Sequence, residues 1–169
     1  MTTIFLAYSP QSLPHYYGDN ALAQLQMLAD VRLNRSDAPM TPEDLIRQAQ
    51  NCQIIVSSRI PEVPAAVFDN LPNLLAYCRC AVDIRNIDVE AANRNGVLVT
   101  RATPGFSGSV SEWIIGVMID LSRDISRTSY AYRRGEEPHI RMGRELRGAT
   151  LGIVGYGTIA VYLTKIASA

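Results

Sequence analysis

Close to its last residue the chain carries Gly155-Tyr156-Gly157-Thr158-Ile159-Ala160, a G-x-G-x-x-A spacing. The buried-strand pattern Ala149-Thr150-Leu151-Gly152-Ile153-Val154 precedes it, and Val161 to Ala169 has helical composition. Strand, glycine turn and helix is the setting in which this spacing holds a dinucleotide. Gly155 permits a tight turn, Gly157 lets the backbone approach a pyrophosphate, and small Ala160 lets the helix pack against the strand. Phosphate oxygens then meet the N–H groups of the helix start, with Tyr156, Thr158 and Ile159 at the contact. The bland alternative is a tight βα turn with no ligand. The acidic residue that holds the ribose hydroxyls, about 20 positions further on, falls beyond Ala169.

Other chemistry is sparse. Cys52, Cys78 and Cys80 are an odd count without a C-x-x-C or a nearby histidine, a pattern of reduced, packed cytosolic thiols and of no metal site. His15, in Pro14-His15-Tyr16-Tyr17, reads as a loop residue, and His139 follows Pro138 in a polar connector; neither is expected to be catalytic. The 16 basic and 16 acidic residues among 169 cancel, which removes the electrostatic footprint of a nucleic-acid or anionic-lipid binder. The longest apolar runs, such as Trp113 to Ile119, fall short of a membrane span, and the N-terminal stretch lacks the basic start and long apolar core of a signal peptide. A cytoplasmic location is expected.

The elements that position these residues alternate. Strand-like runs at Ile4–Tyr8, Val31–Leu33, Gln53–Val56, Leu74–Cys78 and Val97–Thr100 are separated by segments of helical period. Asp19 or Asn20 can cap a helix whose Leu22, Leu25, Leu28 and Ala29 share a face. Thr41-Pro42-Glu43-Asp44 places a hydroxyl at the N-cap, proline at the first helical position and acids in the first turn, predicting a helix through about Asn51. Shorter helices are expected over Pro64–Leu71 and Asp88–Arg94, the latter stopped at Asn95-Gly96.

Strands with intervening helices predict an α/β fold with a parallel, doubly wound sheet, flavodoxin-like, over residues 1–101. The lack of polar alternation in the strands fits a sheet covered on both faces. Residues 102–169 form a second region: a long helix capped by Ser109 with Glu112 as its capping-box partner, a polar connector from Tyr130 to Gly148, and the glycine turn. The helix is apolar on most faces, as expected of one buried between two bodies.

Several runs together resemble one family. Gly143-Arg144-Glu145-Leu146-Arg147-Gly148-Ala149-Thr150-Leu151-Gly152-Ile153-Val154-Gly155-Tyr156-Gly157 is similar to the G-x-E-L-x-G-K-T-L-G-I-[IV]-G-x-G run of the D-isomer-specific 2-hydroxyacid dehydrogenases, the group of phosphoglycerate dehydrogenase. Ser109-Val110-Ser111-Glu112 resembles that family's S-V-A-E, and Asn86-Ile87-Asp88-Val89-Glu90-Ala91-Ala92 its N-I-D-x-x-A-A. The resemblance implies a substrate domain, an interdomain helix and the first βα unit of a Rossmann NAD-binding domain. It implies hydride transfer between NAD, with NADP left open, and a small 2-hydroxy or 2-keto acid. Loops after the third and fourth strands would touch substrate, which gives Ser58, Arg59, Cys80, Ala81 and Val82 as its contacts.

Departures from the family are also plain. Its G-V-G-V-D is Ala81-Val82-Asp83-Ile84-Arg85 here, and the Asp83 carboxylate would repel an anionic substrate unless Arg79 or Arg85 pairs with it. The stretch Thr103-Pro104-Gly105-Phe106-Ser107-Gly108 is one residue shorter than usual. In the family the arginine, glutamate and histidine of catalysis lie later in the NAD domain, so no catalytic residue is expected within this chain and no turnover from it alone. Unpaired strand edges and the open side of the long helix predict a homodimer. The alternatives are a non-catalytic NAD-sensing or dimerising scaffold of the same fold and, disfavoured by the Gly143–Gly157 run, an S-adenosylmethionine methyltransferase.

Overall fold

A computed structural model describes residues 1–168, and these divide into two compact units, one over 1–103 and one from 104 onward. The first unit is a five-stranded sheet of β1 (Thr3–Leu6), β2 (Asp30–Leu33), β3 (Ile54–Ser57), β4 (Ala76–Arg79) and β5 (Leu98–Arg101) in the order β2-β1-β3-β4-β5. Every neighbouring pair is parallel, so each connection crosses a face of the sheet. Side chains alternate between faces. Phe5, Ile55 and Tyr77 enter a core with Leu45, Val67, Phe68 and Ala91, while Ile4, Leu6 and Tyr8 pack on the other side with Ala29.

The crossovers are α1 (Leu13–Tyr16) and α2 (Asp19–Leu28), then α3 (Pro42–Gln48), α4 (Ala65–Asp69) and α5 (Val89–Arg94). Helix α3 starts in a capping box, in which Thr41 Oγ1 accepts from the Asp44 N–H at 3.2 Å and the Asp44 carboxylate returns to the Thr41 N–H. It ends at Gln48, three residues before Asn51, whose φ of 63° lies in the left-handed region. Helix α5 is capped by Asp88, which accepts from the Ala91 N–H at 2.9 Å, and is followed by Gly96 at φ 68°. Helix α2 keeps Leu22 and Leu25 against the sheet, but Leu28 at its end is exposed instead of sharing their face. His15 lies in the short helix α1 rather than in a loop, and remains exposed.

The second unit holds α6 (Ser107–Arg123), α7 (Ile125–Arg133) and α8 (Thr158–Ala167). Helix α6 begins two residues before Ser109. The Ser109 hydroxyl donates to the Phe106 carbonyl at 3.3 Å, and the N-cap, Phe106, has no side-chain cap bond. Buried Ser111 donates to the Ile159 carbonyl of α8 at 3.2 Å. Among the described residues Trp113 and Leu121 on α6 are 68% and 78% exposed. Asp124, at φ 58°, ends α6 and starts α7; the Asp120 carboxylate then accepts from both the N–H and the hydroxyl of Ser126 at 2.6 Å. The polar connector accordingly begins after Arg133 rather than at Tyr130. Residues 149–154 form no strand. A ladder needs a partner, and among the described residues none pairs with them, which leaves Val154 fully exposed.

Candidate functional site

In the first unit the carboxyl ends of β3 and β4 bring Ser58 and Arg59 beside Cys80, Ala81 and Val82. Ser57 and Arg79 are in register, and the Cys80 N–H donates to the Ser57 carbonyl at 2.8 Å. Open parallel sheets bind ligands at these strand ends. Ser58, Ala81 and Val82 are half-buried and Arg59 and Cys80 are exposed. The Ala81 carbonyl accepts from Ala102 at 3.1 Å, but among the described residues no acceptor meets the N–H of Ala81 or Val82. Two successive free N–H groups in a bend suit an anionic oxygen.

A buried cation holds the two loops together. Arg79 is 2% exposed, and its guanidinium donates to the Ser58 carbonyl and, at 3.0 Å, to Asn86 Oδ1. Asn86 Nδ2 in turn donates to the carbonyls of Arg59 (2.9 Å) and Pro61 (3.3 Å). Beneath them the Tyr77 hydroxyl donates to Ser57 Oγ at 2.8 Å, and Ser57 Oγ donates to the Ser58 carbonyl at 3.1 Å. The Arg79 guanidinium lies 5.8 Å from the Tyr77 ring centre, a cation–π contact. Burial pushes the Tyr77 pKa up and that of Arg79 down. No carboxylate touches Arg79 among the described residues, and its Nε has no partner.

The Asp83 question resolves in favour of Arg85. Arg85 Nε donates to Asp83 Oδ1 at 3.0 Å, its terminal nitrogen to Oδ2 at 2.7 Å, and its backbone N–H to Oδ1 at 3.0 Å. These bonds, led by the side-chain pair, hold the Asp83 carboxyl well below the usual carboxylate range. The loop therefore carries an internally compensated charge where the family has glycine. Cys52 is buried, Cys78 half-buried and Cys80 exposed, all three free, so packing accounts for the first two and not for Cys80. No group of three metal-ligating side chains occurs among the described residues.

The second unit places Gly155, Tyr156 and Gly157 in a turn directly before α8. Gly155 sits at φ 87°, which only glycine adopts without strain. The first helical bond runs from the Val161 N–H to the Gly157 carbonyl at 3.0 Å, so the N–H groups of Thr158, Ile159 and Ala160 are the free ones of the helix start. No side chain caps them and no acid stands in the first turn. A Cβ at Gly155 or Gly157 would meet nothing within 4 Å, so backbone is open to a ligand there. The donor set fits a pyrophosphate.

The Tyr77–Ser57–Arg79–Asn86 network had a faint sequence signal, an arginine ending an apolar strand run. A cavity at the end of β1, lined by Tyr8 and Ser9, had none.

Residues 11–164 match the profile described as D-isomer specific 2-hydroxyacid dehydrogenase, catalytic domain. The D-3-phosphoglycerate dehydrogenase of Methanocaldococcus jannaschii is 34% identical over 131 residues, 77% of this chain and 25% of that protein. The glyoxylate reductase of Thermofilum pendens is 30% identical over 151 residues, 85% of this chain and 44% of that one. The D-lactate dehydrogenase of Aquifex aeolicus, solved with NAD and lactic acid, superimposes with a TM-score of 0.71 at 17% identity, covering 99% of this chain and 48% of that one, a likeness of fold. The chain thus spans between a quarter and about half the length of these proteins.

Proposed function

The chain belongs to the D-isomer specific 2-hydroxyacid dehydrogenase family, and from that premise we propose that it serves hydride transfer between a nicotinamide dinucleotide and a small 2-keto or 2-hydroxy acid. The observation that carries the reading is the β3–β4 loop cluster: free Ala81 and Val82 N–H groups beside Ser58 and Arg59, clamped by buried Arg79. In this reading the two N–H groups take the substrate carboxylate and Arg59 adds positive charge at the rim. The Arg85 pairing removes the repulsion that Asp83 would otherwise exert on the anion. Arg79 touches no substrate; it fixes the spacing of the two loops.

Gly155, Tyr156, Gly157, Thr158, Ile159 and Ala160 would hold the dinucleotide pyrophosphate on the α8 start, with NAD the expected form and NADP open. When bound, the dinucleotide supplies the hydride at nicotinamide C4. No residue of this chain is assigned as the proton donor. A homodimer through the open face of α6 and a cytoplasmic location belong to the same reading, supported by exposed Trp113 and Leu121 and by three free cysteines. Among the described residues no helix is long and apolar enough to cross a membrane.

Calorimetric titration of the chain with NADH and with S-adenosylmethionine tests the cofactor assignment. Saturable heat with NADH alone is expected; heat with S-adenosylmethionine alone would replace the dehydrogenase reading with a methyltransferase one.

A further inference from the structure

Strands β1, β3 and β4 run in register, with Leu6 beside Val56 and Val56 beside Cys78. Side chains return to the same face every second residue, so two positions further on Tyr8, Ser58 and Cys80 stand in one row. The ladder carries on that far: the Ala7 N–H donates to the Val56 carbonyl at 2.9 Å, and the Cys80 N–H to that of Ser57 at 2.8 Å. The Tyr8 side chain reaches along this row and brings its hydroxyl against the Cys80 thiol.

The two groups differ in access. Cys80 is exposed and free, whereas Tyr8 is 2% exposed and its hydroxyl offers solvent no surface of its own. The Tyr8 ring is held by Tyr16, with ring centres 4.5 Å apart, and by Tyr17 at 5.8 Å. Its hydroxyl has no hydrogen-bond partner among the described residues. Burial, and after it the neighbouring thiol, push the Tyr8 pKa far above its ordinary value, so the group is a neutral O–H donor. Thiol sulfur is a weak acceptor and leaves that donor unsatisfied; an oxygen carried on the sulfur would satisfy it.

Neither of the other cysteines is placed to close a disulfide with Cys80. Cys78 lies two residues back in an extended segment, so the Cα atoms are about 6.6 Å apart. Both side chains point the same way, which keeps the Cβ separation similar and beyond the roughly 3.5–4.5 Å of a disulfide. Cys52 belongs to the core on the other face of the sheet.

We propose that Cys80 is a site of reversible oxidation by hydroperoxides, at which the buried Tyr8 hydroxyl receives the oxygen that the sulfur gains. The Cys80 thiolate attacks one peroxide oxygen. The S–O bond forms as the O–O bond breaks, the sulfur gives up two electrons, and the other oxygen departs with the proton the thiol released, as an alcohol or water. Rotation about the Cys80 Cα–Cβ bond turns the new oxygen to the Tyr8 hydroxyl, which donates to it. No thiol of the chain is placed to condense with this sulfenic acid, so it persists until a thiol from solution attacks Cys80 Sγ and water leaves. A second such thiol then frees Cys80 from the mixed disulfide. The chemistry stands apart from the acid-binding reading, although Cys80 directly precedes Ala81 and Val82.

The test treats the 169-residue chain with hydrogen peroxide and reads peptide masses with and without dimedone, a trap for sulfenic acids. Dimedone should label Cys80 and neither Cys52 nor Cys78, and glutathione added before dimedone should abolish the label. Tyr8→Phe should leave the melting temperature equal or higher and leave alkylation of Cys80 by iodoacetamide unchanged, since access is unaltered. Under excess peroxide its sulfenic acid should pass on to the sulfinic acid about tenfold faster, the worth of one good hydrogen bond. The unaltered chain unfolded in urea should lose the same protection, which tests the claim without a substitution. Equal rates of sulfinic acid formation in the folded chain and in either comparison would reduce Cys80 to an ordinary exposed thiol and overturn the proposal. Dimedone on Cys52 or Cys78, or a disulfide between Cys78 and Cys80, would overturn it as well.

Discussion

Arg79 decides the geometry of the candidate substrate loops. It is a buried guanidinium whose bonds to the Ser58 carbonyl and to Asn86 span the ends of two adjacent strands. A lysine retains the charge but not the planar fork. Arg79→Lys should therefore lower unfolding free energy by about 1–3 kcal/mol in urea denaturation; an unchanged midpoint would show that the clamp contributes nothing. At Asp83 the folded carboxyl lies below its ordinary value of 3.8 because Arg85 bonds the ionised form. Its contribution to stability is fully present above 3.8 and is lost as pH falls through the folded value, since protonation then favours the unfolded chain. Asp83→Asn should make stability fall less steeply with acid in that range, and an unaltered slope would count against the pair. The sequence offers Asp83 two basic partners, Arg79 and Arg85; the fold selects Arg85, because Arg79 is turned inward by its own network.

Among the elements, the five strands and the capped helices were readable because their signals are local. Thr41-Pro42-Glu43-Asp44 and Asp88 cap helices through side-chain bonds within three residues. Helix α6 was misread at its start for the same reason: Ser109 and Glu112 have the right types, but Ser107 and Gly108 are already helical and the Ser109 hydroxyl turns back to Phe106. The two serve as a matched pair. Asp88→Ala should cost about 1 kcal/mol of stability through the lost cap, whereas Ser109→Ala should cost almost nothing. Equal losses in chemical denaturation would contradict these assignments. Residues 149–154 show the limit of pattern reading. Their apolar composition is that of a buried strand, yet strand formation depends on a neighbour in space, and composition carries no record of one. The glycine turn that follows does not share that dependence, since Gly155 and the α8 start are fixed by local backbone geometry.

For the molecule as a whole, composition excluded a strongly basic binding face and the sheet topology followed from strand–helix alternation. The family followed from runs of residues at fixed spacing rather than from the glycine motif alone. In the second unit Trp113 and Leu121 of α6 are exposed, and so is Met142, at 94%, which lies near Leu121. An apolar surface of this kind favours self-association. Light scattering should give twice the 18.6 kDa chain mass, and Trp113→Glu with Leu121→Glu should return a monomer; a monodisperse monomer of the unaltered chain would refute the dimer. The central claim is that the β3 and β4 loops of the first unit hold a 2-keto acid by its carboxylate. The most direct measurement is a crystal structure of the chain with oxamate, an unreactive isostere of pyruvate. The account predicts the oxamate carboxylate within about 3 Å of the Ala81 and Val82 nitrogens, with Ser58 and Arg59 beside it. Oxamate seated elsewhere, or those loops empty at saturating concentration, would contradict it.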